Sequence, residues 1–468
     1  MSKFFVRHPL ASIRHAARHS AILLVALVLA LSPAPAASQG NNTLDLLSDE
    51  QLEIFQRDLG RYHFGKGLLD DPVAELYIKR LLNELKPPKR IAISIIDDPS
   101  VNALAVQGDM IFIHTGLIEF IDSENELLGV VAHEIGHIVQ EHFTRLPKQL
   151  QAVSSLAAAA LLLGLLSSDA EIGDALIAAS QGSLQSAAYE QIRTYEYEAD
   201  SVALDLLSKS GVGADGLIEI LRKLKGAPGV PEYLLTHPIS DNRVAAVQGY
   251  ARQFPTFEPR AESADFGFIQ ARIRKRSRVS NLSEEISDEP EEIQDYLLLL
   301  DKNQASRAAA ARLQEKHAGN WIIAHALAEL YLAENRTNAA IEVLDNALRS
   351  DPKNRVLTAL RLEALAKSGE SQQVKLALGK LAAGNYASPL IAKTEAQFWA
   401  EEKDDYRYRV ALARYNYNQG DMNNARKQLD FARELARKEG RGDEPPQVVR
   451  IQIKIDSIEK ALGVGKEN

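Results

Sequence analysis

His133, Glu134 and His137 stand in the order H-E-x-x-H within VAHEIGHIVQEH (131–142). On an α-helix, residues four apart lie about 40° from each other around the axis, so both imidazoles project from one face. Two ring nitrogens placed in this way can meet one zinc ion at ~2.0–2.1 Å. Glu134, about 100° from His133 around such a helix, flanks the ion instead of binding it. From there it can take a proton from water, the general-base role of this motif. His142 is nine residues from His133, which on a continuing helix puts it half a turn away on the opposite face. It is read as no ligand of the same ion.

Catalytic zinc commonly has three protein ligands and one open position. The sequence contains no cysteine, so the third ligand must be His, Glu or Asp. YEYEAD (195–200) offers Glu196, Glu198 and Asp200. Glu196 and Asp200 are spaced i, i+4 and share a helical face, whereas Glu198 points about 160° away from Asp200. One of the two facing carboxylates can bind the ion. The other, one turn away, can accept the spare ring N–H of a ligating histidine and so fix its tautomer. Taken alone the hexapeptide reads as a solvated acidic face, and the upstream H-E-x-x-H tips it to a metal site.

Several elements must hold these residues. ENELLGVVAHEIGHIVQEHF (124–143) has apolar residues at helical spacing with Pro147 just beyond, which predicts a helix. Gly136 inside it costs about 1 kcal/mol relative to alanine, so close approach of another backbone is the expected reason for it. A second helix is predicted over roughly 184–209, before Gly211 and Gly213. RIAISIID (90–97) alternates as a strand, and LAVQGDMIFIHTG (104–116) reads as two short strands turning at Gly108-Asp109. AVSSLAAAALLLGLL (152–166) carries no charge. It is short for a membrane span and reads as a buried helix or hairpin, a lid over a substrate groove, or a membrane-contacting segment.

The whole chain of 468 residues is long enough for two or three domains, and its 46% apolar and 25% charged content is that of a globular protein. A net charge of −9 without a basic block after residue 40 argues against nucleic acid as a partner. Lys3, Arg7, Arg14 and Arg18 precede the apolar run AILLVALVLALS and then PAPAASQG. This reads as a cleavable signal peptide over 1–36, with Ala34 and Ala36 fitting the A-x-A pattern. The mature protein is then expected to be exported and soluble, most simply in a bacterial periplasm.

Residues 251–290 read as a connector, with RIRKRSR (272–278) a solvated charge run and EEISDEPEEI (284–293) acidic. Beyond it, over 291–465, a 34-residue period appears. Trp321, Ala324, Leu327, Ala328, Tyr331, Ala340, Leu344, Ala347 and Pro352 match every position of one tetratricopeptide repeat. Leu412, Ala413, Ala425, Leu429 and Ala432 fit a second, with Gly420 in its turn and Asn416 departing from the pattern. Residues around 292–317 and 356–383 read as degenerate repeats with the register slipped, and stacked repeats of this kind stabilise one another.

HEIGH followed some sixty residues on by YEYEAD resembles the gluzincin peptidases that include the CAAX prenyl protease and HtpX. With the repeats, the chain is most similar to the periplasmic members that act in outer-membrane β-barrel assembly. The resemblance implies a mainly α fold with a small β-sheet. A zinc metallopeptidase domain over 45–250 would be followed by an α-helical tetratricopeptide solenoid. It implies one Zn2+ per chain held by His133, His137 and Glu196, with Glu134 as catalytic base and Asp200 as the supporting carboxylate. NALAVQGDMIFIHTGLI (102–118) resembles the family's edge strand, so Asn102, Ala103, Leu104 and Ala105 are expected to bind substrate as an added strand. LLTHPISDNR (234–243) resembles a segment in which His237 can occupy the open metal position at rest, with Arg243 near the site. A THP histidine is by its chemistry alone more often structural. With a fourth protein ligand the enzyme would be latent until the segment moves, and either His237 or Arg243 could stabilise the oxyanion.

The expected function is therefore a periplasmic zinc endopeptidase degrading unfolded or misassembled outer-membrane proteins. Its repeats would dock substrate or the outer-membrane assembly machinery, and peripheral membrane contact stays open. The competing expectation is a chaperone or scaffold for outer-membrane assembly in which proteolysis is secondary.

Overall fold

A computed structural model describes residues 67–461 except 107–108, 146–181, 228–236, 256, 258–263, 278–288, 304, 384–387 and 443. The leader at 1–36 and the uncharged run at 152–166 lie outside the described residues.

The chain enters the core through α1 (Pro72–Glu84). Its start is fixed by sequence: Asp71 accepts from the N–H groups of Val73 and Ala74, and Pro72 occupies the first turn, where its missing N–H is no loss. Three strands follow: β1 (Ala92–Ile96), β2 (Ala103–Val106) and β3 (Met110–His114). They form one sheet in the order β1-β3-β2, with β3 parallel to β1 and antiparallel to β2. β3 is central and buried at every position, which accounts for its continuous apolar reading. The turn between β2 and β3 includes Asp109 at φ +55°, the left-handed conformation Asp tolerates.

β2 is an edge strand. The His114 N–H donates to Asn102 O, and Leu104 pairs with Phe112, so alternate residues Ala103 and Ala105 direct their backbone groups away from the sheet. That outer edge faces α3.

After the short α2 (Thr115–Phe120) comes α3 (Glu124–Val139), capped by Ser123 Oγ, which accepts from the Glu126 N–H. The helix ends at a Gln140 cap, three residues earlier than the sequence pattern suggests, because Glu141 takes φ +54° and turns the chain. α4 (Gly182–Lys209) crosses α3. A Cβ on Gly136 would sit 2.5 Å from Ala199 O and 2.8 Å from Ala199 Cα, so glycine is required for this crossing. α5 (Asp215–Gly226) packs on α3 and α6 (Asp241–Ala251) on α4, completing the cage around the motif helix.

α7 (Ala264–Arg276) corrects the solvated reading of RIRKRSR. Its Phe268, Ile269 and Ile273 are buried in the same core as α1 and α3, and Arg272 is 1% exposed. Arg272 Nε lies 2.8 Å from both Asp71 carboxylate oxygens, so one acid caps α1 and pairs a buried cation. A buried charge is tolerated only when paired in this way. Arg276 reaches Asp71 and Glu329 at 3.5 Å.

The rest is helical: α8 (Glu291–Asp301), α9 (Ser306–Lys316), α10 (Trp321–Ala333), α11 (Thr337–Ser350), α12 (Arg355–Lys367), α13 (Ser371–Ala383), α14 (Pro389–Glu401), α15 (Asp405–Asn418), α16 (Met422–Lys438) and α17 (Pro446–Ala461). Consecutive helices pack on each other from α8 to α13 and again from α14 to α17, and Ala324, Leu327, Ala328, Ala340, Leu344 and Ala347 are all buried between them. Ala413, Ala425, Leu429 and Ala432 are likewise buried, and Gly420 turns the chain at φ +79°. The fold is thus mostly helical with one small sheet. Among the described residues no helix is long and apolar enough to cross a membrane.

Candidate metal centre

Four side chains from three segments converge. His133 and His137 come from α3, Glu196 from α4, and His237 from the segment just before α6. One ligand atom from each lies within 4.8 Å of the others, and all four residues are buried. His133 Nε2 is 3.0 Å from His137 Nε2, 3.2 Å from His237 Nδ1 and 3.3 Å from Glu196 Oε2. His137 Nε2 is 3.3 Å from Glu196 Oε1.

These spacings suit a zinc ion. Ligand atoms at ~2.0–2.1 Å from a tetrahedral centre stand about 3.3 Å from one another. The opposite ring edges have partners that can hold the ring protons outside, which leaves the inward nitrogens available to a cation. His133 Nδ1 lies 2.9 Å from Asp200 Oδ1 and His137 Nδ1 lies 2.9 Å from His142 Nδ1, so both rings have an outer partner for their proton. Inward lone pairs at such separations repel unless a cation lies between them.

The charge balance points the same way. Glu134, Glu196 and Asp200 are at most 2% exposed, and Arg243, also 2% exposed, meets Glu196 and Asp200. Arg243 Nε lies 2.7 Å and Nη2 2.8 Å from the Asp200 carboxylate, Nη1 lies 2.5 Å from Glu196 Oε2, and Nη1 also donates to Pro238 O at 3.3 Å. Two of these three buried carboxyls thus share one guanidinium. Burial alone would raise the Glu196 carboxyl, but Arg243 and the histidines outweigh it and hold it well below the usual carboxylate range. Asp200 is held at about 2 against burial by Arg243 and His133. Burial works against a charge on His133, yet its bonds to Asp200 and Glu196 raise it to about 9, while burial lowers His137. The cluster attracts positive charge.

Glu134 stands beside the cluster. Its Oε2 accepts from the Ala105 N–H at 2.7 Å. Its Oε1 is buried with no hydrogen bond, 3.5 Å from His237 Nε2. An acid aimed at the ligand cluster with one oxygen unused fits a group that receives a proton there.

All of the residues singled out by motif are brought together: His133, Glu134, His137, Glu196, Asp200, His237 and Arg243 form one connected cluster. Asn102, Ala103, Leu104 and Ala105 form the start of the edge strand and its approach, with Ala105 touching Glu134. Ala103 and Ala105 carry the outward backbone groups, and Asn102 and Leu104 face β3.

His142 is placed differently from the helical projection. Because α3 stops at Gln140, His142 returns toward the cluster and meets the outer edge of His137. Burial, with His137 adjacent, pushes it down to about 4. It remains outside the group of converging ligand atoms. No glycine or proline marks the turn at Glu141, so the sequence held no signal for it.

The comparisons with known proteins agree with the motif reading. Residues 72–251 match peptidase family M48. The chain is similar to a putative beta-barrel assembly-enhancing protease of Vibrio cholerae, 33% identical over 45% of this chain and 45% of that protein. It is 27% identical to the beta-barrel assembly-enhancing protease of Escherichia coli over 70% of this chain and 73% of that protein. It is also 29% identical to the mitochondrial metalloendopeptidase OMA1 of Bos taurus, over 32% of this chain and 30% of that one. The match spans 45% of the Vibrio cholerae protein and 63% of the Yersinia pestis beta-barrel assembly-enhancing protease, less than two thirds of either.

Proposed function

Residues 72–251 are a domain of the zinc-dependent peptidase family M48, and on that premise we propose that the whole protein is a zinc endopeptidase acting on unfolded or misassembled proteins. The observation that carries this reading is the buried Glu134 Oε1, without a hydrogen bond, beside the converging atoms of His133, His137 and Glu196.

His133, His137 and Glu196 would hold the ion, with Asp200 orienting His133 through its Nδ1–H. When bound, zinc would supply Lewis-acid chemistry, polarising the scissile carbonyl and making water acidic enough to lose a proton near neutral pH. Glu134 takes the proton from the attacking water and returns it to the leaving amine. Arg243 keeps Asp200 and Glu196 anionic and fixed, and its nitrogens are taken up by those acids and Pro238 O.

Substrate binds as an extended strand along β2. The outward backbone groups of Ala103 and Ala105 are its partners, so recognition rests on main chain and suits unfolded polypeptide of varied sequence. Ala105 N–H already serves Glu134, and an incoming strand that claims it must release the acid. His237 takes a fourth place among the ligand atoms, where substrate and water must enter, and this supports a latent resting state.

The buried Ala and Leu positions of α10 with α11 and of α15 with α16 support tetratricopeptide repeats within 291–465. In this reading they dock substrate or the outer-membrane assembly machinery, the protein acts in the periplasm after loss of residues 1–36, and 251–290 joins the two domains. The names of the bacterial relatives, beta-barrel assembly-enhancing protease, favour outer-membrane proteins as the substrate class. A scaffold without proteolysis would not need an intact Glu134 inside a complete ligand set.

Cleavage of casein and of an unfolded porin tests the proposal. Cleavage that stops with a zinc chelator and returns with added Zn2+ supports it, and chelator-insensitive cleavage or none after zinc loading contradicts it.

A further inference from the structure

A second line of polar side chains leads outward from His137. His142 Nδ1 lies 2.9 Å from His137 Nδ1, and His142 Nε2 lies 3.1 Å from Glu198 Oε2. Glu198 is gripped in turn by Arg145, whose Nη1 is 2.7 Å from Oε2 and Nη2 3.3 Å from Oε1. Arg145 Nη1 also donates to Gln140 O at 3.1 Å, closing the chain on the end of α3. The His142 ring is held flat, stacked on Tyr195 at 4.1 Å and 10° between planes. His142 itself is 4% exposed.

Proton bookkeeping gives this chain a direction. Two ring nitrogens 2.9 Å apart share one hydrogen, so one donates and the other accepts. If His137 turns its Nε2 lone pair toward the ion, its proton must sit on Nδ1. His142 Nδ1 is then the acceptor, and the His142 proton sits on Nε2, where the Glu198 carboxylate receives it. His133 has a carboxylate, Asp200, directly on its outer nitrogen. His137 instead reaches its carboxylate through a neutral imidazole.

We propose that His142 is a positioning residue for the metal ligand His137, holding it in the Nδ1–H tautomer, with Glu198 and Arg145 fixing the proton on the far side of His142. The inference rests on His137 being a ligand of the zinc site proposed above. The partner that binds an imidazole's outer N–H sets ring orientation and ligand basicity, so its loss weakens metal affinity. The requirement is for an acceptor at this position and not for a histidine as such.

Zinc affinity of the full-length protein, measured by competition with a calibrated chelator, tests it independently of proteolysis. His142→Phe keeps the ring stacked on Tyr195 but offers His137 no acceptor. It should raise the zinc Kd by about 10- to 100-fold. His142→Gln restores an amide oxygen and should recover most of that loss. Where His142→Phe fails to fold, Glu198→Leu carries the test: it frees the His142 proton to face His137 and should weaken zinc binding by several-fold, with Co2+ loading giving a changed visible spectrum. Wild-type affinity in a folded His142→Phe, or in Glu198→Leu, overturns the inference, as does a His142→Gln loss equal to that of His142→Phe. Wild-type protein that binds no zinc overturns the site reading itself, and so separates the two failures.

Discussion

Glu134 Oε2 accepts a 2.7 Å hydrogen bond from the Ala105 N–H, which ties the acid of the motif helix to the outer edge of β2. The residue that would move the proton and the strand that would hold the peptide are therefore one mechanical unit. The contact arises because β2 is the sheet's edge and alternate residues must turn their N–H groups outward.

This contact predicts the effect of Ala105→Pro. Proline is tolerated at an edge position whose N–H faces away from the sheet, but it removes the donor. In the complex this N–H is a main-chain partner of the substrate strand, a bond worth ~0.5–1.5 kcal/mol, so cleavage should fall about 2- to 10-fold. Zinc affinity should stay unchanged, because no ligand is touched. Steady-state cleavage paired with chelator competition checks it, and a parallel loss of zinc would point to general damage instead.

His237 leads to a prediction of opposite sign. If the form with His237 among the ligand atoms makes up about nine tenths of the resting protein, the competent fraction is a tenth, and His237→Ala should raise basal cleavage about tenfold. An unchanged or lower rate would argue against latency and would favour His237 as oxyanion partner.

Asp200→Ala should weaken zinc binding about 10- to 100-fold, since it removes the acceptor of the His133 Nδ1–H and half of the Arg243 grip. The chelator-competition Kd reads this directly. Equal affinities in the two proteins would remove Asp200 from the supporting role.

Much of this centre was legible in the sequence, because helical spacing is a strict geometric constraint. H-E-x-x-H placed His133, His137 and Glu134, the i, i+4 pair placed Glu196 and Asp200 on one face, and Gly136 foretold the helix crossing met at Ala199. His142 was not legible. Its position depends on Glu141 adopting a left-handed conformation with no glycine to announce it. Arg272 was misleading for a different reason: a basic run read by composition hides which single residue turns inward, and its partner Asp71 is two hundred residues away.

The buried ion network around that arginine predicts a pH dependence. Burial raises Glu329, but His325, Arg272 and Lys302 outweigh it and hold its carboxyl well below the usual range. A depressed folded-state pKa stabilises the protein above the unfolded value of ~4.3, and that stability is lost as pH falls toward the folded value. Glu329→Gln should therefore cost about 1.5–3 kcal/mol at pH 7. The gap to wild type should narrow as pH drops below ~4.3. Denaturant melts at a series of pH values check it, and a gap that is constant with pH would contradict it.

The most direct test of the central claim is Glu134→Gln, because glutamine can still accept from the Ala105 N–H yet cannot serve as a base. Zinc content and cleavage of unfolded protein should be measured on the same preparation. The account predicts one zinc per chain, as in wild type, with cleavage abolished. Retained proteolysis in the zinc-loaded variant would contradict it.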